Sequence, residues 1–502
     1  MKTLPSRLPG AFSVLALMLA VGIPTDSHAQ KVPIDFNDFH GYTGTVEYLK
    51  DVAEAYPDIT ELFEIGRSTL HQRPIYVLVV TDLKNGTTID RHVPLRDIRG
   101  EIVEDARPMK SYHGKPGHLI SASTHGNEFT GTEVSLYTID KLVSGYGFDP
   151  EITRLVENVA FYFLPIVNPD GVFSSVEGDI SQRANSMALD NDGDGLINED
   201  GPEDLNGDGH ITQFRYIDPE GRYVVDDVDP RVMIRLERGE TTSKQRYSVV
   251  AEDMDNDGDG ERGEDGEGGI DLNRNYPQGW WRDDLTGGGS GPYPLSAAET
   301  RAEADFLAEN PNILVAQTYH TSGGFTYRAM GTAPHTTMDP RDVAIMDRIM
   351  GKRYLELIEE EVPEAWTVSG PLDEFKAALR ETSENQYAII RGYELPRGWR
   401  VSYNEVRDRR YGFGMAADWM FKQLGMYAIC TELWNSDKDM RGIPTFTGEG
   451  ARTQRERALL EYQEEEFGGR FFIAWEPFDH PELGEGEIGG WIPRYRGGNA
   501  FP

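Results

Sequence analysis

Apolar positions along this chain follow two patterns, helical spacing in some segments and short continuous runs in others. The continuous runs predict strands at residues 73–80, 118–123, 159–167, 313–319 and 426–433. Helical spacing predicts helices at residues 43–56, 128–143, 341–361 and 415–424. Strands and helices that alternate in this way are typical of an α/β protein.

The first residues carry the pattern of an export signal. Basic residues precede an apolar run at 11–23, and the small residues Ser27 and Ala29 mark a cleavage site. We therefore expect residues 1–29 to be a signal peptide and the mature protein to be secreted or periplasmic. The apolar run is too short to span a membrane, and the sequence shows no later candidate span.

The cysteine content indicates a cellular compartment, and the net charge excludes one class of binding partner. Cys430 is the only cysteine among 502 residues, so no intramolecular disulfide can form. Export without disulfides is more typical of a bacterium than of a eukaryotic secretory route. The formal net charge of −36 argues against nucleic acid as a partner, because phosphate contacts need Lys and Arg.

Length and composition predict one large domain with additions. Roughly 470 residues follow the predicted signal, more than one hydrophobic core usually supports. We expect a main domain at 30–436, interrupted at about 184–270 by an acidic, glycine-rich and weakly apolar insertion. Residues 437–502 are charged and then rich in Pro and Gly around Trp475 and Trp491. We expect this extension to pack on the main domain through its aromatic residues.

Histidine and glutamate residues stand at the ends of three predicted strands. His125 and Glu128 follow the strand at 118–123, His320 follows the strand at 313–319, and Glu432 ends the strand at 426–433. Ligands of open α/β sheets bind outside the carboxyl ends of strands, so these side chains can meet. Catalytic zinc commonly takes two His and one Glu and keeps one position open. The sequence thus predicts a zinc site with Glu432 as general base towards a metal-activated water.

Taken together, the motifs resemble the zinc carboxypeptidase family, the carboxypeptidase A-like enzymes, over about residues 40–436. The resemblance rests on five motifs in the family's order: His125-x-x-Glu128, Asn168-Pro-Asp-Gly171, Asn273-Arg274, His320, and Glu432 fourteen residues after Asp418-Trp419. It implies a mixed central β-sheet flanked by helices. It also implies hydrolysis of the C-terminal peptide bond of peptides or proteins with one catalytic Zn²⁺.

The same resemblance assigns the remaining site residues. Arg183 falls where the family stabilises the oxyanion, and Asn273, Arg274 and Tyr411 fall where it binds the terminal carboxylate. Ala417 and Cys430 match pocket-lining positions, and their lack of charge predicts an apolar or aromatic C-terminal residue. The chain departs from the family at Gly126-Asn127, where an arginine is common, and at Ala184, where a lysine is common.

The insertion carries three arrays of alternating acidic residues around glycine, which is the layout of a calcium loop. The candidate ligands are Asp190, Asp192, Asp194 and Glu199 in the first array, Asp204, Asn206 and Asp208 in the second, and Asp255, Asp257, Asp259 and Glu264 in the third. None has the glutamate that closes an EF-hand at the twelfth position. We expect structural Ca²⁺ that rigidifies the insertion between Arg183 and Arg274.

Two other functions fit parts of the sequence. A peptidase or amidase of the same fold that trims peptidoglycan would also bind carboxylates. From a different class, the chain could be an inactive exported module that binds calcium, although an intact Glu432 and a complete set of zinc ligands argue against this. The sequence gives no signal for an oligomeric state.

Overall fold

The computed structural model describes residues 31–85, 112–188, 195–260, 262–263, 267–281, 289–321, 325–329, 338–349, 387–388, 413–433 and 450–493. An eight-stranded sheet forms its centre. In sheet order the strands are β1 (Thr60–Arg67), β2 (Pro74–Val80), β4 (Ala160–Leu164), β3 (Gly117–Ala122), β9 (Ile313–Thr321), β12 (Tyr427–Leu433), β10 (Phe325–Arg328) and β11 (Tyr387–Ala388). The four central strands β4, β3, β9 and β12 run parallel, and the outer strands pair antiparallel.

Helices cover both faces of this sheet. They are α1 (Gly41–Ala55), α2 (Thr130–Gly145), α3 (Pro150–Asn158), α4 (Pro169–Val172), α5 (Ala298–Glu309), α6 (Pro340–Ile349) and α7 (Ala416–Leu424). Val77 and Val79 pack with residues of α5 and α7, whereas Leu78 and Val80 pack with residues of α1 and α2. Successive strand residues point to opposite faces, so an uninterrupted apolar run marks a strand that is buried on both.

The predicted α/β fold with a mixed central sheet flanked by helices is confirmed. The helix predicted at 43–56 spans 41–55, and the strand predicted at 313–319 extends to Thr321. The sequence analysis did not predict β1, because Glu61 and Glu64 interrupt its apolar pattern. Of the helix predicted at 341–361, the described part is α6.

The insertion forms part of a second sheet. Four of its strands come from the insertion and two from the C-terminal extension, in the order β13 (Phe472–His480), β14 (Gly484–Trp491), β5 (Gln213–Ile217), β8 (Tyr247–Ala251), β6 (Tyr223–Val225) and β7 (Met233–Arg235). These strands were not predicted from the sequence, and the expected structural ions remain a prediction. These strands are short and lie between charged residues, but Phe214 of β5 is fully buried.

The C-terminal extension contributes one further helix, α8 (Ala451–Phe467), besides the β13–β14 hairpin. Leu460 of α8 packs with Phe471 and Trp491 of the hairpin region and with Val232 of the insertion. Apolar contacts thus join the extension to the insertion in one small core. In the parts of the chain described here, no helix has both the length and the apolarity to cross a bilayer.

Candidate active site

Three neighbouring parallel strands bring the predicted site residues to one edge of the central sheet. His125 and Glu128 follow the end of β3, while His320 and Glu432 lie near the ends of β9 and β12. The register pairs His320 with Glu432. The two side chains therefore extend from the same face of adjacent strands, whose backbones lie about 4.8 Å apart. This is the edge at which α/β sheets bind ligands.

His125, Glu128 and His320 form a compact buried cluster in which one ligand atom of each lies within 4.8 Å of the others. Nδ1 of His125 is 2.9 Å from Oε1 of Glu128, and Nδ1 of His320 is 2.9 Å from Oε2. The two Nδ1 atoms are 3.2 Å apart. None of the three residues is more than one-tenth exposed. Two imidazoles and one carboxylate therefore converge on a single point.

These residues fit a catalytic zinc ion. Ligand atoms bound at roughly 2.1 Å in a tetrahedral site lie about 3.4 Å from one another, close to the separations of 2.9 and 3.2 Å between these atoms. Two ring nitrogens facing each other at such a distance repel unless a proton or a cation lies between them. The number and type of donors also leave one position open, as catalytic zinc requires.

Asp271 lies behind the first histidine. Its Oδ1 is 3.0 Å from Nε2 of His125, so it fixes the ring and leaves Nδ1 facing the cluster. A carboxylate in this place also raises the basicity of a metal-binding imidazole. Burial lowers the pKa of His125, but the charges of Glu128 and Asp271 outweigh burial and raise it to about 9. Burial raises the pKa of Asp271, yet His125, Arg274 and Arg183 together lower it well below its usual range.

Arg183 bridges the two carboxylates of the cluster. Its Nη1 donates to Oε1 of Glu128 at 2.9 Å, and its Nε donates to Oδ2 of Asp271 at 3.1 Å. Burial lowers its pKa, but these two carboxylates outweigh burial and raise it. The side chain is still 43% exposed. A fixed positive charge therefore lies beside the cluster and remains accessible from solvent.

The Asn168-Pro-Asp-Gly171 turn positions the segment that carries Arg183. Nδ2 of Asn168 donates to the carbonyl of Ala184 at 2.9 Å, and Oδ1 accepts from the backbone N–H of Gly171 at 2.9 Å. The backbone N–H of Gly126 also donates to the carbonyl of Arg183 at 3.0 Å. The bond from Asn168 thus ties the segment of Arg183 to the 168–171 turn, and the bond from Gly126 ties Arg183 to the turn that separates His125 from Glu128.

Gly126 has a steric reason to be glycine. A Cβ atom at this position would lie 2.3 Å from the backbone of Gly171 and 2.6 Å from the carbonyl oxygen of Gln182. The two turns approach too closely for any side chain. Its neighbour Asn127, at the position where the sequence departs from the arginine common in the family, donates from Nδ2 to Oγ of Ser181 at 3.2 Å.

Asn273 and Arg274 lie next to the cluster in a short 3₁₀ turn. Oδ1 of Asn273 accepts from the backbone N–H of Ala416 at 2.9 Å, and its Nδ2 is 3.3 Å from Nε2 of His320. Nη1 of Arg274 donates to the carbonyl of Asn273 at 2.8 Å. Asn273 thus connects His320 to the start of α7, and the guanidinium of Arg274 lies beside it.

Comparison with known families agrees with this arrangement. A model described as zinc carboxypeptidase matches residues 45–449, which is most of the chain. The chain belongs to the zinc carboxypeptidase family. The expectation drawn from the sequence motifs is therefore confirmed at the level of the family.

Individual relatives of this chain match over shorter stretches. Human carboxypeptidase D is 30% identical over 197 residues, 38% of this chain and 12% of the relative. Mouse carboxypeptidase M is 35% identical over 144 residues, 29% of this chain and 26% of the relative. The matches span between 10 and 26% of the length of such curated relatives.

Solved structures show a distant likeness. Carboxypeptidase A from Helicoverpa armigera is 15% identical with a TM-score of 0.45, and the match covers 86% of this chain and 73% of that one. Bovine thrombin-activatable fibrinolysis inhibitor is 16% identical with a TM-score of 0.43, and the match covers 84% and 94%.

Ala417 and Cys430, the predicted pocket residues, are buried on the same side of the sheet. Ala417 belongs to α7. Cys430 lies two residues before Glu432 on β12, so the side chains of Cys430 and Glu432 share one face of the strand. Ala417 packs in the apolar cluster that α7 forms with the sheet. The predicted carboxylate-binding residue Tyr411 lies outside the described residues, as do Asp190, Asp192, Asp194 and Glu264 of the acidic arrays.

The second and third acidic arrays form tight turns. Oδ2 of Asp204 accepts from the backbone N–H of Gly209 at 2.8 Å, and Nδ2 of Asn206 donates to Oδ2 of Asp208 at 3.0 Å. In the third array Oδ2 of Asp255 accepts from Gly260 at 3.0 Å. The carboxylates of the second and third arrays are thereby held by their own backbone. Asp259 of the third array is exposed and makes further contacts. Glu199 of the first array is half-buried.

The sequence analysis missed Asp271 as a member of this site. A signal was present, because Asp271 stands two residues before the Asn273-Arg274 pair that the resemblance had singled out. The spacing alone does not tell which residue an aspartate contacts. Its partner His125 lies 146 positions earlier in the chain.

Proposed function

We propose that this protein is a zinc-dependent carboxypeptidase that hydrolyses the C-terminal peptide bond of peptides and proteins. One observation carries the proposal: His125, Glu128 and His320 converge at the carboxyl edge of the sheet, and Glu432 lies in register with His320. The family match supports the same reaction. When bound, zinc supplies Lewis acidity that polarises the substrate carbonyl and lowers the pKa of water.

The side chains of the site have separate roles in metal binding and proton transfer. His125, Glu128 and His320 hold the metal, and Asp271 orients the first of these ligands through its ring nitrogen Nε2. Glu432 takes a proton from the attacking water and returns it to the leaving amine. Its place beside His320 on the neighbouring strand supports this role.

Arg183 and Arg274 supply the positive charges that the reaction needs. Arg183, which is partly exposed beside Glu128, stabilises the oxyanion that develops on the scissile carbonyl. Arg274 offers a planar pair of donors that suits the free carboxylate of a peptide C-terminus. Asn273 lies beside Arg274, and we propose that Asn273 and Tyr411 add hydrogen bonds to that carboxylate.

Specificity for apolar or aromatic C-terminal residues belongs to the same proposal. Ala417 and Cys430 are uncharged and buried. A basic side chain in a pocket lined by these residues would have no counter-ion from them and would have to lose its hydration. Apolar side chains gain free energy from the same burial.

Two further statements remain part of the proposal. The pattern of residues 1–29 supports export to the periplasm or the medium. The oxygen-rich arrays support calcium as a second, structural ion, because hard cations prefer carboxylate and carbonyl ligands.

The decisive experiment compares the wild-type enzyme with Glu432→Gln on peptides that differ only in the last residue. We expect zinc content to stay near one per chain in both proteins and kcat to fall by roughly 10²- to 10⁴-fold in the variant. Glu309→Gln, an exposed glutamate at the end of α5, is the matched control and should retain full activity.

Three results would contradict the proposal. The first is wild-type activity in Glu432→Gln. The second is a preference for peptides with a C-terminal lysine or arginine, which would remove the specificity claim. The third is cleavage of muropeptides in the absence of any cleavage of simple blocked dipeptides, which would point to peptidoglycan trimming.

A further inference from the structure

The insertion leaves the main domain and returns to it at a single place. The backbone N–H of Asn185 donates to the carbonyl of Ile270 at 3.1 Å, and the backbone N–H of Ile270 donates to Oδ1 of Asn185 at 2.8 Å. The backbone N–H of Met187 donates to the carbonyl of Glu267 at 3.3 Å, which adds a third hydrogen bond. The outgoing and incoming limbs of the insertion are therefore joined at their base.

Farther from this base, the two limbs meet again through carboxylates. Asp200 of the outgoing limb brings an oxygen to within 4.8 Å of oxygens of Asp255 and Asp257 of the incoming limb. Asp200 directly follows Glu199 of the first acidic array, whereas the other two residues belong to the third. The structure instead combines residues from both arrays into one cluster.

Asp200 distinguishes this cluster from an ordinary group of surface acids. Its side chain has no exposed surface, and its Oδ2 has no hydrogen-bond partner among the residues that the structure describes. Its Oδ1 accepts from Nδ2 of Asn256 at 3.2 Å. A carboxylate oxygen that is buried without a donor is costly unless a cation binds it.

No positive side chain described nearby neutralises the cluster. Arg262 follows the third array, but its Nε donates to Oε2 of Glu482 at 2.9 Å. The buried residues Glu252 and Asp253, which precede the array, are acidic and supply no positive charge. Three carboxylates at this separation repel one another unless a cation lies among them.

We propose that Asp200, Asp255 and Asp257 form a calcium site that cross-links the two limbs of the insertion. Three carboxylates supply hard oxygen ligands, which exclude zinc as the preferred ion because zinc favours His and Cys. Calcium accepts irregular sets of six to eight oxygens, so water and backbone carbonyls can complete this site. Magnesium needs near-ideal octahedral geometry and binds such a site less well.

The site also connects to the C-terminal hairpin. The backbone N–H of Asp255 donates to Oε1 of Glu482 at 3.1 Å, and Nε2 of His480 lies 3.1 Å from the carbonyl of Asp253. The ion therefore joins the two limbs of the insertion, and these hydrogen bonds join the incoming limb to β13 and the turn that follows it. The inference concerns the second, six-stranded sheet. It does not depend on whether the protein cleaves peptides.

The test uses the full-length protein loaded with zinc, in buffer freed of other divalent ions. Calcium binding is measured by titration calorimetry and by the shift of the thermal unfolding midpoint. We expect calcium at about a hundred times its dissociation constant to raise the midpoint by about 3–5 °C, and magnesium at the same concentration to raise it less.

Substitutions locate the ion. Asp257→Asn removes a ligand that is only half-buried, so the variant should fold, and we expect its calcium affinity to fall at least tenfold. Asp200→Asn should abolish the calcium-dependent shift. Asp227→Asn, at an exposed acid of the insertion outside the three arrays, is the matched control and should bind calcium as tightly as the wild type, whereas Asp208→Asn tests whether the second array holds the ion.

Two outcomes would overturn the inference. One is a zinc-loaded wild-type protein whose unfolding midpoint does not change with calcium. The other is loss of tight binding in Asp208→Asn together with retention in Asp257→Asn, which would place the ion in the second array. Neither readout depends on peptidase activity, so a failure here is separate from a failure of the proposed function.

Discussion

Asp271 offers the sharpest test of how the zinc site is built. Its Oδ1 contacts Nε2 of His125 at 3.0 Å and accepts the backbone N–H of Asn273 at 3.0 Å, while Oδ2 accepts from Arg183 at 3.1 Å. Like Glu128, Asp271 contacts both His125 and Arg183, but it is not one of the three proposed zinc ligands. We expect its removal to weaken zinc binding without removing a ligand.

The magnitude follows from the type of hydrogen bond that is lost. A hydrogen bond to a charged group contributes about 1.5–3 kcal/mol, and a neutral one about 0.5–1.5 kcal/mol. Asp271→Asn keeps the shape and one acceptor but loses the charge, so about 1.4 kcal/mol, or tenfold in zinc affinity, should disappear. Asp271→Ala loses the whole contact to His125, and we expect roughly 100-fold weaker binding.

The assay is competition for zinc with a chromophoric chelator at constant pH, with zinc dissociation constants compared between variants. Asp82→Asn is the control, because Asp82 is also buried and accepts the backbone N–H of Lys84 at 2.9 Å away from the zinc cluster. The control should lose stability but keep its zinc affinity. The reasoning fails if folded Asp271→Ala binds zinc within twofold of the wild type, or if Asp82→Asn weakens zinc as strongly.

Three further predictions concern Gly126 at the site, His40 and the small core of the C-terminal extension. Gly126→Ala should cost about 1–3 kcal/mol of stability, measured by urea unfolding, because its Cβ would overlap the backbone of Gly171. Burial lowers the pKa of His40, but Glu133 outweighs burial and raises it. The stability that protonated His40 contributes is full below the unfolded pKa of about 6.5 and is lost as the pH rises through the folded pKa. His40→Gln should therefore lower the melting temperature more at pH 5.5 than at pH 9, and an equal loss at both would contradict this. Leu460→Ala should cost about 2–5 kcal/mol and loosen the C-terminal extension, seen as faster proteolysis there.

Much of the fold and the candidate site was readable from local pattern. The apolar run at 74–80 predicted a strand because a central strand is buried on both faces. The order of His125, Glu128, His320 and Glu432 at strand ends indicated one metal centre because parallel strands end at the same edge of a sheet. The β1 strand was not predicted because two glutamates at its accessible positions interrupt the apolar pattern.

The second, six-stranded sheet could not be predicted in this way. Its strands are three to nine residues long, and β14 of the extension pairs with β5 of the insertion more than two hundred residues earlier. Such pairing is set by where the chain folds back, and short strands between charged turns carry little pattern of their own. The sequence analysis therefore recognised the aromatic residues of the extension but not their partner.

By itself, the sequence determined which side chains could bind zinc, which residues could bind a carboxylate, and where hard oxygen ligands are concentrated, because residue type and spacing encode donor chemistry. Only the tertiary structure decided that Asp271 supports His125 and that Asp200 joins Asp255 and Asp257. These contacts connect residues far apart in the chain. They depend on the packing of whole elements, which local spacing does not specify.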